Sequence, residues 1–248
     1  MIMEKTPEKI MPYGEGERKR NQVKSMFDTI ADKYDFLNHF MSFQQDKRWR
    51  RKAILSLKAD SPKTLLDIAT GTGDFALEAW KWLKPDLIVG ADLSEGMMRV
   101  AEEKVKKAGI EEHFRFEYQD CTALTFKDNT FDAVTIAFGV RNFENIAQGI
   151  SEMYRVLKPG GKMVIIELSR PEKFPMKQFF NLYAMTILPL AGKLFSKDDL
   201  AYEYLPASIK VVPQSTEMVE ILKNQGFVKA EYRHFTFGVC TMYTGIKP

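Results

Sequence analysis

Apolar positions change rhythm twice along the 248-residue chain. Between Asn21 and Leu57 they recur at helical spacing. Val23, Met26, Phe27, Ile30 and Ala31 share one face, and Trp49-Arg50-Arg51-Lys52-Ala53-Ile54 continues the pattern, which predicts helix. After Pro62, short apolar runs alternate with amphipathic stretches. Leu65–Ala69, Leu87–Ala91, Phe114–Tyr118, Phe131–Ala137 and Lys162–Leu168 read as strands. Asp74–Leu83 and Ile146–Leu157 read as helices, as does the stretch that Ser94 caps and Gly109 stops. Lys158-Pro159-Gly160-Gly161 reads as a turn. This alternation predicts a doubly wound, parallel α/β sheet. The last two β-rich runs, Phe227–His234 and Phe235–Lys247, are joined closely and predict an antiparallel edge.

One stretch breaks the alternation. From Phe174 to Val212 the chain is dense in Phe179, Phe180, Leu182, Tyr183, Met185, Ile187, Leu188, Leu190, Leu194 and Phe195. It predicts a helical insertion over 172–212, covering the active end of the sheet, with core packing or a dimer face as the alternative. Its lysines Lys173, Lys177 and Lys193 suit an interface where stems lie on apolar surface and ammonium groups reach headgroups. Residues 1–20 are polar, with Pro7, Pro12, Gly14 and Gly16, and read as a flexible tail. The expected layout is one domain over 21–248, with 21–60 as an N-terminal helical cap.

Composition narrows the classes further. Hydrophobic residues at 45% and charged residues at 28% suit a globular core, and a net charge of +3 gives no argument for nucleic acid. Cys121 and Cys240 cannot build a disulfide framework or a metal cluster, so a reducing cytoplasm is the simplest compartment. The start lacks the apolar run of a signal peptide, and no stretch is long and apolar enough to span a bilayer. His39, His113 and His234 are scattered, with no metal-ligand spacing.

The chemistry concentrates in Thr64-Leu65-Leu66-Asp67-Ile68-Ala69-Thr70-Gly71-Thr72-Gly73-Asp74-Phe75, a strand that breaks into a glycine turn and opens a helix. The next strand ends in Asp92 and Leu93. An acid about 20 residues past the glycines stands where ribose hydroxyls are held. The acid before the turn chooses the cofactor. Asp67 would repel a pyrophosphate but suits a loop around a cation. S-adenosylmethionine has no phosphate and carries a sulfonium and an ammonium, so it is favoured over a dinucleotide. The expected cofactor set is Asp67, Thr70, Gly71, Thr72, Gly73, Asp92 and Leu93, with Thr72 facing the methionine end.

Three further segments carry a resemblance: Tyr34-Asp35-Phe36-Leu37-Asn38 with Met41-Ser42-Phe43 and Trp49; Phe138-Gly139-Val140-Arg141-Asn142; and Arg155–Gly161 with Glu167-Leu168-Ser169-Arg170-Pro171. The chain resembles the ubiquinone/menaquinone biosynthesis C-methyltransferases, from about Val23 to the C-terminus. The resemblance implies a Rossmann-like class I methyltransferase: a mostly parallel seven-stranded sheet with a reversed last strand. It also implies C-methylation of a polyprenyl quinol, demethylmenaquinol above all, by a protein peripheral to the inner membrane that touches its surface transiently, and a homodimer is compatible. Asp120 would accept from the adenine amine, the backbone of Cys121 would meet a ring nitrogen, and Ala137 would line the same site. Tyr34, Asn38 and Arg141 would serve the quinol oxygens. The pattern departs in three places. Gln44-Gln45-Asp46-Lys47 replaces the usual Gly-x-His-Arg, so no histidine is given a catalytic role. Asp120-Cys121 replaces Asn-Ala, and Ala137 replaces a serine. Other readings are a methyltransferase for another apolar small molecule and a non-catalytic scaffold subunit.

Overall fold

A computed structural model describes residues 7–14, 16–195 and 199–248, without the side chains at 7, 32–33, 185 and 187–203. Met185, Ile187, Leu188, Leu190, Lys193, Leu194 and Phe195 of the expected cover thus have side chains outside the described residues.

Strands β1 (Thr64–Ile68), β2 (Leu87–Asp92), β3 (Phe114–Tyr118), β4 (Phe131–Ala137), β5 (Leu157–Leu168), β6 (Val228–Phe235) and β7 (Cys240–Ile246) form one sheet. Its order is β3-β2-β1-β4-β5-β7-β6, and β7 runs antiparallel to both neighbours. The expected parallel sheet with an antiparallel close is borne out. Alternating residues explain why it is buried on both faces. Leu66, Val89, Val134 and Ile165 meet α5 (Ile146–Val156) and α8 (Thr216–Asn224). Leu65, Ile88, Ala133 and Val164 meet α2 (Gln45–Leu55) and α3 (Asp74–Leu83).

The helix expected across 21–57 is two helices, α1 (Lys19–Met41) and α2. The break is at Phe43 and Gln44, both left-handed with φ of 50° and 63°. Gln44 stands where the related pattern has glycine, so a side chain occupies a backbone shape that glycine adopts freely. The fifth strand starts at Leu157, earlier than expected. Leu157 pairs with Phe131 and Lys162 with Ala133, so Lys158–Gly161 remains a turn-like bulge inside the strand. The 172–212 insertion contains α6 (Met176–Phe195) and α7 (Asp199–Val211).

Acids on α1 fasten it beside the carboxyl edge of the sheet. Asp28 accepts from the Ser94 hydroxyl (2.6 Å) and the Gly96 amide (3.0 Å) at the N-terminus of α4 (Glu95–Ala108). That placement matches an anion to the positive end of a helix. Asp35 accepts from Thr72 and pairs with Lys104 of α4.

The loops at this edge meet tightly. A Cβ on Gly139, just past β4, would lie 2.7 Å from the Ala69 Cβ and 2.9 Å from the Ile136 Cδ1. Gly139→Ala is expected to destabilise the protein by about 1–3 kcal/mol through overpacking. A urea midpoint unchanged from wild type would show that the Ala69 loop gives way freely.

Candidate active site

The glycine turn is built from behind. Buried Asp67 accepts from the hydroxyls of Thr70 (2.7 Å) and Thr135 (2.6 Å), and burial pushes its carboxyl up to about 6. Gly73, left-handed at φ +80°, lets α3 start against α4, where a Cβ would sit 2.9 Å from that of Ala101. In front, Asp92 accepts from the Gly71 amide (2.8 Å) and the Ser94 amide (2.8 Å). Burial raises the Asp92 carboxyl above its ordinary value.

A cavity of about 810 Å³, open to solvent, lies at this edge. Gly71, Asp92, Leu93, Asp120, Cys121 and Ala137 line it. Asp67, Thr70, Thr72 and Gly73 are absent from its lining. The Thr72 hydroxyl, expected to face the methionine end, donates instead to Asp35. Burial pushes the Cys121 thiol well up, consistent with packing rather than reactivity.

Helix α1 supplies the wall that sequence reasoning missed: Arg20, Val23 and Phe27. Arg20 pairs with Asp120 at 2.8 Å. Against the burial that raises it, hydrogen bonds from Thr122 and the Arg20 pair hold the Asp120 carboxyl below its ordinary value. Lys19 is buried and its ammonium donates to the carbonyls of Arg141 (3.1 Å) and Phe143 (3.2 Å). Burial pushes Lys19 down to about 8. Both residues fall in the stretch expected as a tail. Their polarity gives no sign of burial, whereas Val23 and Phe27 are recognisable as one face of an amphipathic helix.

Two further cavities adjoin the first, of about 440 and 650 Å³. Tyr34 lines all three; Asn38 and Arg141 line these two. The fold therefore brings together the three residues expected on the acceptor side. Burial raises the Tyr34 hydroxyl, and Arg141 opposes that shift. Arg141 is itself buried, in a short loop after β4. Its guanidinium pairs with Glu167 of β5 at 2.7 Å and donates to the Phe138 carbonyl, while its Nε, also buried, has no hydrogen-bond partner. Against the burial that lowers it, Glu167 holds the Arg141 guanidinium above its ordinary range. Asn142 lines two of the cavities and accepts from the Tyr204 hydroxyl at 3.1 Å.

One cluster was not foreseen from sequence spacing. His39, Asp46 and Asp74 bring potential ligand atoms within 4.8 Å of one another. Cations of the chain already neutralise it. Arg50 pairs with Asp46, Lys104 with Asp74 at 2.6 Å, and His39 Nδ1 lies 2.7 Å from Asp46. The arrangement is an ion-pair network joining α1, α2, α3 and α4.

A profile of the ubiE/COQ5 methyltransferase family matches residues 15–247. The chain belongs to that family. Among curated relatives, the demethylmenaquinone methyltransferase of Bacteroides fragilis is 52% identical over 240 residues, covering 97% of this chain and 98% of that protein. The demethylmenaquinone methyltransferase of Porphyromonas gingivalis is 46% identical over 244 residues (98% and 99%). The ubiquinone/menaquinone biosynthesis C-methyltransferase UbiE of Geobacter sulfurreducens is 44% identical over 230 residues (92% and 90%). Solved structures share the fold at low identity. A SAM-dependent methyltransferase from Thermotoga maritima, titled a possible histamine N-methyltransferase, has a TM-score of 0.60 at 18% identity, over 91% of this chain and all of that one (100%). A SAM dependent methyltransferase from Aquifex aeolicus has a TM-score of 0.53 at 20% identity (75% and 82%). The expected family and class I methyltransferase fold are borne out.

Asp67 gives this ubiE/COQ5 family member a stability signature. An unfolded carboxyl titrates near about 3.9 and the folded one near about 6, so the native state holds the extra proton between them and stability falls as pH rises through that window. Asp67→Asn removes the titration. Its stability relative to wild type should increase by roughly 1 kcal/mol from pH 5 to pH 8 in ligand-free protein, from about 1.4 kcal/mol per pH unit over the upper part of the window. A difference that stays constant across that range, in urea titrations, would reject the raised carboxyl.

Proposed function

We propose that this methyltransferase moves the methyl group of S-adenosylmethionine to a ring carbon of a polyprenyl quinol, demethylmenaquinol above all, at a membrane surface. The observation that carries the reading is Tyr34. It stands where the cavity holding the glycine turn and Asp92 meets the two apolar cavities, so a methyl donor and a ring acceptor can be held face to face.

When bound, S-adenosylmethionine supplies an electrophilic methyl on a sulfonium that leaves as a neutral thioether. The residues present fit it. Asp92 has lone pairs left over for ribose hydroxyls, the cations near the turn are taken up by carboxylates of the chain (Lys104 by Asp35 and Asp74, Arg20 by Asp120), and Asp120 with the Cys121 backbone serves the adenine. Asp67 and Thr70 act from behind, by holding the turn in shape.

On the acceptor side, the quinol ring becomes electron-rich as its hydroxyl gives a proton to water at the solvent-open cavity; the ring carbon that gains the methyl then sheds its own hydrogen as a proton, which restores the aromatic ring, and the hydroxyl is reprotonated from the same water. Arg141 keeps its own proton at any working pH, so it is not the base. It stabilises the phenolate-like oxygen from the lining of both apolar cavities, as a fixed positive charge within a buried site. Tyr34 and Asn38 orient the quinol oxygens. Holding the two reactants in one water-poor junction supplies the rest.

Incubating the protein with S-adenosylmethionine and chemically reduced demethylmenaquinone should yield menaquinol by mass spectrometry. Absence of product with every reduced quinone, in a protein that binds the cofactor, would overturn the reading. Replacing Arg141 by alanine would strand Glu167 in the core, at a cost of about 3–5 kcal/mol. Arg141→Lys keeps the charge and removes the fork. We expect kcat to fall by roughly 10²–10³, as for one lost transition-state donor, with cofactor affinity unchanged. Wild-type turnover in Arg141→Lys would leave this arginine a purely structural role.

In isothermal titration, Asp92→Ala should weaken S-adenosylmethionine binding by about 1.5–3 kcal/mol, the range for hydrogen bonds to a charged group. Unchanged affinity in the folded variant would reject the ribose assignment.

A further inference from the structure

Asn142 stands where the two sides of the site meet. It lines the 810 Å³ cavity that holds Gly71 and Asp92, and also the 440 Å³ cavity that Asn38 and Arg141 line. Its backbone has little freedom. The carbonyls of its two neighbours, Arg141 and Phe143, both accept from the Lys19 ammonium (3.1 and 3.2 Å). Its own amide donates to the Gly139 carbonyl at 3.0 Å and closes the short turn Val140–Asn142. What the backbone leaves open is the sense of the side-chain amide. Half a turn of that group exchanges an accepting oxygen for a donating NH2 of almost the same shape.

Helix α7 settles that choice. Tyr204, Ser208 and Val212 recur every four residues and are buried, so they share the inward face of the helix. The helix packs on the loop that carries Asn142. The Tyr204 ring sits in a cluster with Met26 and Leu37 of α1, and its hydroxyl donates to Asn142 Oδ1 at 3.1 Å. Burial raises that hydroxyl far above its ordinary value, so it remains a neutral donor at any working pH. With Oδ1 turned to Tyr204, the amide nitrogen turns the other way. Among the described residues this nitrogen has no hydrogen-bond partner. The buried side-chain atoms left without one are the Nε atoms of Arg50 and Arg141. The Asn142 nitrogen is not among them, so it opens on cavity space instead of being sealed in the core.

We propose that Tyr204 is a positioning residue for methyl transfer: it holds the Asn142 amide so that the NH2, and not the oxygen, faces the junction of the donor and acceptor cavities. The chemistry needs that sense, a step that rests on the polyprenyl quinol reading above. As the ring hydroxyl gives up its proton, negative charge builds on the ring oxygen. An NH2 at the junction attracts that oxygen more strongly as the charge grows, whereas an amide oxygen would repel it. A group aimed in advance has no reorganisation left to make when the charge appears. The helical insertion therefore does more than cover the sheet. One of its helices fixes the polarity of a group that borders both reactants.

Tyr204→Phe removes the hydroxyl and keeps the ring. We expect kcat on reduced demethylmenaquinone to fall by about 10-fold, the range for one hydrogen bond, with the KM for S-adenosylmethionine unchanged. Asn142→Ala should cost more, roughly 10²–10³ in single turnovers. In an Asn142→Ala background, Tyr204→Phe should cost nothing further, because the group it acts through is gone. Wild-type kcat in Tyr204→Phe would overturn the proposal. So would an equal fall with and without Asn142, which would give the hydroxyl a role of its own. A second readout needs no quinol. In ligand-free protein with isotope-labelled asparagine, the Asn142 side-chain amide resonances, assigned by their loss in Asn142→Ala, should move in Tyr204→Phe. Resonances that stay in place would show that Tyr204 does not hold the amide and would also overturn the proposal. If the wild type methylates no reduced quinone, the reading of the acceptor fails, while the resonances still decide whether Tyr204 holds the amide.

Discussion

The ion pair between Arg141 and Glu167 is the joint on which the site hangs. Glu167 is buried near the end of β5 and accepts from both the amide and the guanidinium of Arg141. Arg141 in turn offers its carbonyl to the ammonium of Lys19, at the start of α1. Sheet, loop and overlying helix are thus linked through three charged side chains. A buried pair of this kind gains little against an apolar replacement, but losing one partner leaves an uncompensated charge. The pair therefore specifies where the loop sits more than it adds to stability. It also sets Arg141 in the lining of the two apolar cavities, with its buried Nε left without a hydrogen-bond partner.

Helix α1 makes the enclosure. Its apolar face supplies Val23, Phe27 and Tyr34 to the cavities, and its acids hold it to α4 and the glycine turn. The bare sheet edge would be an open shelf. With the helix across it, charges interact in a medium poorer in water, where hydrogen bonds to a developing negative oxygen are worth more. The substituted positions matter here. Asp120 stands where the related pattern has asparagine, and its carboxylate has Arg20 of α1 as partner. An ion pair at that point joins the helix to the cavity floor.

Much of the fold was legible because the sheet obeys one rule. Runs such as Leu65–Ile68 and Met163–Ile166 send alternate apolar residues to two cores, and glycines and caps mark the ends. The site was legible only in part. Gly71 and Asp92 face the cavity as the motif suggests, but Thr72 and Gly73 serve packing between α3, α4 and α1, a tertiary contact that spacing does not reveal. Lys19 and Arg20 lay in a polar stretch, and polarity reads as exposure unless the partner carbonyls and carboxylate are known. The break between α1 and α2 was hidden for a similar reason. Gln44 has no intrinsic preference for a left-handed turn, so the bend is imposed by packing on either side of it.

Helix α1 contributes to the walls of all three cavities described, with Tyr34 shared by them, so on the reading proposed above one helix borders both the methyl donor and the quinol. Any ligand that steadied the helix from the quinol side would lower the ordering cost for the methyl donor, and by linkage the donor would return the same factor to the quinol. Communication between the two sides of the site would thus run through one helix and its fastenings at Lys19 and Arg20, rather than through either pocket taken alone.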